Sequence, residues 1–121
     1  MGTGFRFQGA TALDTTELNA AIAAACEELH EADRIFSLYK PESPLSQLAA
    51  GMTSVAHSPS VVSEIWDECE RYEKLTDGWF SAFTPQHTFD PSGLVKSWAA
   101  LRACNILTDA GITDFTLNAG G

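Results

Sequence analysis

A stretch with the sequence FDPSGLVKSWA combines a carboxylate, an amine and a flexible backbone. Asp90 and Lys96 carry the two charges, Pro91 favours an extended conformation at Asp90, and Gly93 lets a ligand approach the backbone closely. The pattern predicts a junction between a loop and a helix N-terminus, where unpaired N–H groups favour an anion such as a phosphate. Lys96 is then either a ligand of that anion or a surface lysine whose ammonium group stays in water.

Four further blocks accompany this stretch in a fixed order: MGT at the start, IFSLYKPESPLSQL at 35–48, LTDGWF at 75–80 and LNAGG at 117–121. Together with residues 90–99 they resemble the FAD:protein FMN transferases, the ApbE-like family, over essentially the whole chain. The resemblance implies a Mg²⁺-dependent transferase that splits FAD, attaches FMN through a phosphoester to a Ser or Thr of a target protein, and releases AMP. Its cofactors would be Mg²⁺ and, as substrate, FAD.

The resemblance also assigns roles to residues of the first three blocks. Met1 would lie against the flavin ring, and Tyr39 would help to hold the cofactor, unless it only caps the preceding helix. Trp79, Phe80 and Ser81 would line the FAD site. Ser81 stands where the family has an aspartate, so the carboxylate is absent here, and we expect weaker orientation of the cofactor at this point.

Three roles fall in the stretch around Asp90. Asp90 would contact FAD, Gly93 would contribute an oxygen to the Mg²⁺ shell, and Lys96 would act in catalysis by neutralising the phosphoryl oxygens. The family's other Mg²⁺ ligands belong to its C-terminal half, so we expect residues 1–121 alone to be catalytically incomplete. Two alternatives stay open: a protein that binds or hydrolyses FAD without transfer, and a noncatalytic α+β chain whose family pockets have decayed.

Composition limits the class of protein. The 121 residues are 45% apolar and 19% charged, which suits one domain or part of one. Sixteen acidic residues against seven basic give a formal charge of −9, which opposes binding to nucleic acid. No apolar run approaches the roughly 18–20 residues that span a bilayer. We expect the chain as given to be cytoplasmic, with an exported or membrane-anchored lipoprotein as the alternative that the resemblance allows.

Cysteines and histidines do not form a metal pattern. Three cysteines in three separate helical patterns predict free, buried thiols rather than disulfides. The three histidines are far apart and lack metal-ligand spacing, so we interpret them as surface or loop residues. The residues concerned are Cys26, Cys69, Cys104, His30, His57 and His87.

Periodicity predicts the order strand, helix, helix, helix, strand. Alternation through Phe5 and Phe7 indicates an opening strand over residues 3–10, and residues 114–117 indicate a closing one. Asp14 and Glu17 form a capping pair before a long helix. A second helix starts after Ser58-Pro59, and residues 94–110, apolar nearly all round, predict a buried third.

One polar residue, Asp33, interrupts the apolar stripe of the first helix. It is either a functional acid or a structural partner of Arg34 or a loop N–H. The element order argues for an α+β fold, with three main helices on one face of a β-sheet, in an ApbE-like or T-fold-like domain. Two strands cannot cover three helices, so we expect residues 1–121 to be the N-terminal part of one such domain. Alone, they should form homo-oligomers or swapped dimers.

Overall fold

The computed structural model describes residues 2–85 and 88–120, and these form four α-helices and one two-stranded antiparallel sheet. In chain order the elements are β1 (Phe5–Ala10), α1 (Thr15–Phe36), α2 (Pro44–Ala49), α3 (Ser60–Leu75), α4 (Ser92–Asp109) and β2 (Asp114–Ala119), with a 3₁₀ turn at Val55–His57. The predicted α+β class is confirmed. Met1 lies outside the described residues, so its contact with a flavin ring stays a prediction.

Tertiary contacts divide the chain into two compact units. The terminal unit comprises Met1–Ala32 and Lys96–Gly121, and the central unit comprises Asp33–Val95. None of the helices in the described residues is long and apolar enough to cross a membrane.

The terminal unit is built on the pairing of β1 with β2. Phe5 and Phe7 are half-buried on one side of β1, while Arg6 and Gln8 are exposed on the other, as the alternation predicts. Small and medium-sized apolar side chains of α1 and α4 share one buried cluster, and the phenylalanines of the sheet pack against it. The buried core residues are Ala21, Ala25, Leu29, Ala32, Ala99, Ala103, Leu107 and Ile112.

The start of α1 follows the predicted reciprocal cap. The Glu17 N–H donates to the Asp14 carboxylate at 2.9 Å, and the Asp14 N–H donates to the Glu17 carboxylate at 3.3 Å. Two N–H groups that the helix itself leaves unpaired are thereby satisfied.

The prediction that α4 is buried all round is wrong. Val95, Ala99 and Leu107 are buried at intervals of four or eight residues, but Leu101 is 62% exposed. Burial therefore follows one stripe, because only one face of this helix meets other elements.

The central unit has buried apolar side chains of its own, from the end of α1, from α2 and α3, and from the stretch between α3 and the start of α4. Its buried side chains are Ile35, Phe36, Leu45, Val62, Ile65, Cys69, Ala82, Phe89 and Val95. All three cysteines are free thiols, as predicted, but only Cys69 is fully buried and the other two are half-exposed. This unit contains every predicted site residue among the described ones except Lys96.

Candidate functional site

A short hairpin brings two of the motif blocks together. Phe83 and Phe89 form an antiparallel bridge, and the Thr84 N–H donates to the Thr88 carbonyl at 2.9 Å. The Asp90 N–H donates to the Ala82 carbonyl at 2.8 Å. Ser81 and Asp90 are nine residues apart in sequence, yet this pairing places the backbone that follows Ser81 beside Asp90.

Phe80 and Gly93 are in direct contact across the same junction. A Cβ added to Gly93 would lie 3.2 Å from Cε2 of Phe80, a distance at which the ring would have to shift. Phe80 also meets Tyr72 edge-on, with ring centroids 6.4 Å apart. Glycine at position 93 is thus what allows the Phe80 ring to lie against the first turn of α4.

Asp90 caps the start of α4. Its Oδ1 accepts from the Ser92 N–H at 3.0 Å and from the Ser92 hydroxyl at 2.5 Å. Ser92 is the first helical residue, and it donates both of these hydrogen bonds. Asp90 remains exposed, and its charge lies where the helix dipole favours an anion.

Lys96 lies in α4, three residues after Gly93, and is exposed. It makes no ion pair with any residue that the structure describes. An unpaired ammonium group near a helix N-terminus opposes the dipole, so a negatively charged ligand would stabilise it. Both interpretations of this lysine, anion ligand and solvated surface residue, are compatible with its exposure.

Ser81 is held in a local turn. Its hydroxyl accepts from the Phe83 N–H at 3.2 Å and donates to the Phe83 carbonyl at 3.3 Å. Both contacts are within the hairpin, and Ser81 itself is exposed. An aspartate at this position can accept the same N–H bond in an Asx turn, so the hairpin does not require serine.

Tyr39 projects from a loop that is anchored at several points. Its side chain is 93% exposed, and the loop below it is fixed by hydroxyl groups. The Ser43 hydroxyl donates to the Ser37 carbonyl at 2.6 Å, and the Ser46 hydroxyl donates to the same carbonyl at 3.1 Å. Lys40 adds an ion pair to Asp33, with Nζ 2.6 Å from Oδ2, which gives Asp33 a structural role at the end of α1.

Trp79 is the other fully projecting aromatic residue, with 94% of its surface exposed. The turn that connects the end of α3 to Trp79 contains two residues with positive φ, Asp77 at 50° and Gly78 at 80°. The Gly78 N–H donates back to the Glu73 carbonyl at 2.9 Å, which closes the end of the helix. Exposed large aromatic side chains are typical of binding surfaces.

Comparison with known proteins identifies the family. A family model described as the ApbE family matches residues 1–84. This chain belongs to the ApbE family. No protein of curated function matches the sequence significantly.

Two solved structures share the fold of this ApbE-family chain. A point mutant of the flavin transferase ApbE from Vibrio cholerae superposes with a TM-score of 0.77 at 16% identity, over 99% of this chain and 57% of that one. The flavin transferase ApbE from Vibrio cholerae gives 0.76 at 18% identity, over 100% and 55%. Our chain thus spans little more than half the length of the solved structures it matches, and at these identities the likeness concerns the fold.

The described part of this ApbE-family chain does not assemble a magnesium site. No group of three or more His, Cys, Asp or Glu side chains in residues 2–85 and 88–120 is placed to hold a metal ion. Asp90 already accepts two hydrogen bonds on one oxygen, and Gly93 offers only backbone. Since Mg²⁺ requires near-octahedral oxygen coordination, these residues do not fit the ion by themselves. His57 instead bonds the Ser54 hydroxyl through Nδ1 at 2.7 Å.

Sequence reasoning missed two features of the site. Trp66 packs against Phe83 and Phe89 with ring centroids 4.9 and 4.7 Å away, so the hairpin is held to α3 by an aromatic cluster. Thr76 accepts a hydrogen bond from the Phe80 N–H. The signal for Thr76 was a hydroxyl residue directly before Asp77-Gly78, but a single Thr at a helix end is too common to assign a role.

Proposed function

We propose that this ApbE-family protein is an FAD:protein FMN transferase that moves FMN from FAD to a Ser or Thr of a target protein and releases AMP. The proposal is supported by membership of the family, whose model covers residues 1–84, and by the shared fold of the flavin transferase structures. FAD and the acceptor protein are then its two substrates.

One observation carries the assignment to the central unit. The block 79–81 and the block 90–93 come together through the hairpin, with the Phe80 ring against Gly93. This junction presents a polar cap at Asp90, and the residue before Phe80, Trp79, carries an exposed indole. A dinucleotide can use both kinds of contact, because its rings are flat while its ribose and ribityl hydroxyls can donate hydrogen bonds to a carboxylate.

The reaction is an in-line phosphoryl transfer. The acceptor hydroxyl gives up its proton to water, its oxygen forms a bond to the phosphorus on the FMN side, and the bond from that phosphorus to the AMP oxygen breaks, so that AMP leaves. Negative charge grows on the phosphoryl oxygens as this happens, and positioning together with charge neutralisation supplies most of the catalysis. Lys96 is the cation we assign to those oxygens, since it is exposed and unpaired with the described residues.

Magnesium dependence is part of the proposal on the strength of the family resemblance. The described residues do not form the metal site, and no catalytic step is assigned to the ion through them. Titration of activity with Mg²⁺ after chelation tests this part separately.

The decisive experiment combines the full-length protein with FAD, Mg²⁺ and a Ser/Thr-containing target domain, followed by mass spectrometry of the target. We expect a target heavier by one FMN phosphoester and one AMP released per adduct. Release of AMP and FMN without an adduct would instead indicate hydrolysis, and absence of any FAD turnover would refute the proposal. A target with its acceptor Ser or Thr changed to Ala is the matched control and should remain unmodified.

A further inference from the structure

Thr76 ties the end of α3 to Phe80. It follows the last residue of α3, and its hydroxyl donates to the Tyr72 carbonyl at 2.8 Å. The same oxygen accepts from the Phe80 N–H at 3.0 Å. One hydroxyl therefore bridges a helix carbonyl to a backbone N–H four residues further along the chain.

The backbone between Thr76 and Phe80 forms a tightly hydrogen-bonded turn, but the Trp79 side chain in this turn is exposed to solvent. The Trp79 N–H donates to the Thr76 carbonyl at 3.1 Å, and the positive-φ pair Asp77 and Gly78 reverses the chain. The Trp79 indole remains 94% exposed. Packing therefore contributes almost nothing to its position, and the backbone bonds of the turn set the point from which the side chain projects.

The Thr76 hydroxyl does more than a helix end requires. Helix C-termini are commonly closed by backbone N–H groups alone, and here the Gly78 N–H already bonds the Glu73 carbonyl. Accepting the Phe80 N–H is an additional bond, and it fixes the residue whose ring lies against Gly93. Thr76 is only half-exposed and bonded on both sides, so it is not itself a ligand.

We infer that Thr76 is a positioning residue for the flavin, holding Trp79 and Phe80 where they contact its ring system. This inference rests on the proposed function. The family resemblance already assigns Trp79 and Phe80 to the FAD site; what is new is the role of Thr76, which would act through that turn without touching the flavin.

The test compares Thr76→Val, which removes the hydroxyl at nearly constant shape, with Thr76→Ser, which retains it. Thr108 offers a matched control, because its hydroxyl also donates to a carbonyl four residues earlier, at 3.0 Å to Cys104, near a helix end. Among the described residues, no loop N–H donates a hydrogen bond to the Thr108 hydroxyl. Each variant of the full-length protein is titrated with FAD, and the flavin fluorescence of the saturated complex is recorded.

We expect Thr76→Val to raise the Kd for FAD about fivefold, the scale of one lost positioning hydrogen bond. The flavin fluorescence at saturation should also rise, since a displaced indole quenches it less. Thr76→Ser should restore both values and Thr108→Val should change neither. A purely structural Thr76 would lower thermal stability yet leave the fluorescence of the saturated complex unchanged.

A double variant separates positioning from direct loss of fold. Trp79→Leu should weaken FAD binding, and adding Thr76→Val to it should weaken binding by less than Thr76→Val does in the wild-type background, because one of the two positioned residues is gone. Fully additive effects would overturn the inference. If Thr76→Val does not fold, Thr76→Ala takes its place in both comparisons.

Failure of the inference is distinguishable from failure of the proposed function. A wild-type protein that does not bind FAD refutes both. A wild-type protein that binds FAD, with Thr76→Val matching it in affinity and in bound fluorescence, refutes only the role of Thr76.

Discussion

Replacing Ser43 by alanine should destabilise the central unit and loosen the loop that carries Tyr39. Ser43 is 2% exposed and caps α2, accepting from the Ser46 N–H at 3.0 Å while donating to the Ser37 carbonyl at 2.6 Å. Loss of an N-cap costs about 1 kcal/mol. Loss of the second bond costs about 1 kcal/mol more.

Together, these losses should lower the free energy of unfolding by about 2 kcal/mol and not by more. The Ser37 carbonyl keeps its bond from the Ser46 hydroxyl, so no buried acceptor is left wholly unsatisfied. The Lys40 to Asp33 ion pair also remains, but its side chains are 44% and 27% exposed, so solvent screening limits its contribution to under about 1 kcal/mol.

The assay is urea denaturation of the full-length protein, followed by far-UV circular dichroism, with Ser46→Ala as the matched control. That control loses the hydroxyl bond to Ser37 but keeps the cap, so it should cost less than half as much as Ser43→Ala. FAD affinity should fall in the same order. The reasoning is refuted if the free energy of unfolding of Ser43→Ala lies within about 0.5 kcal/mol of the wild-type value, or if Ser46→Ala lowers that free energy more than Ser43→Ala does.

Three further predictions concern charge and protonation. Lys96→Ala should slow FAD turnover, whereas Lys74→Ala, at another exposed lysine in a helix, should not. Equal kinetics for both variants in a steady-state assay would show that Lys96 is a solvated surface residue. Ser81→Asp should keep the turn to Phe83 and tighten FAD binding or raise the transfer rate, because a carboxylate accepts stronger hydrogen bonds than a hydroxyl; lower activity would show that the hairpin has another arrangement. Burial, with help from two neighbouring glutamates, raises the pKa of the Cys69 thiol from 9.0 to about 11. The folded state holds this proton more tightly than the unfolded state, so the stabilisation is complete below pH 9 and is lost as pH rises through 11. The free energy of unfolding should fall by about 1.4 kcal/mol per pH unit across that window, and in denaturation at stepped pH a Cys69→Ala variant that kept the same slope would contradict this assignment.

Local signals predicted much of the fold. The capping pair of Asp14 and Glu17 defines the start of α1 in the structure as in the sequence, because both partners lie within one helical turn. The alternation in β1 likewise gave the buried face correctly. Such features depend on neighbours a few residues away, which the sequence displays directly.

Features that depend on partners far away in the sequence were harder to predict. The apolar composition of α4 suggested burial on every side, yet Leu101 is exposed, since composition does not say how many faces meet other elements. The hairpin that joins residues 82–84 to 88–90 was also missed. Trp66 of α3 packs against Phe83 and Phe89 in this hairpin, and no local pattern in the sequence indicates that contact.

Candidate site residues show the same division. The family resemblance placed Asp90 and Gly93 in one block, and the structure brings Phe80 to them. It could not show that Asp90 bonds Ser92 or that the Ser81 hydroxyl is engaged with Phe83. These hydrogen bonds depend on side-chain rotamers, which the local backbone conformation determines, and the rotamers decide which atoms remain available to a ligand.

The pairing of β1 with β2 has a consequence for how the protein is made. Phe5 pairs with Ala119, so within the residues that the structure describes the first strand gains its partner only after synthesis has passed residue 119. The central unit is one continuous stretch, Asp33–Val95, and can gain its contacts while the chain is still emerging. We therefore expect nascent chains to protect the central unit first and to leave Phe5 and Phe7 open to chaperones until β2 arrives.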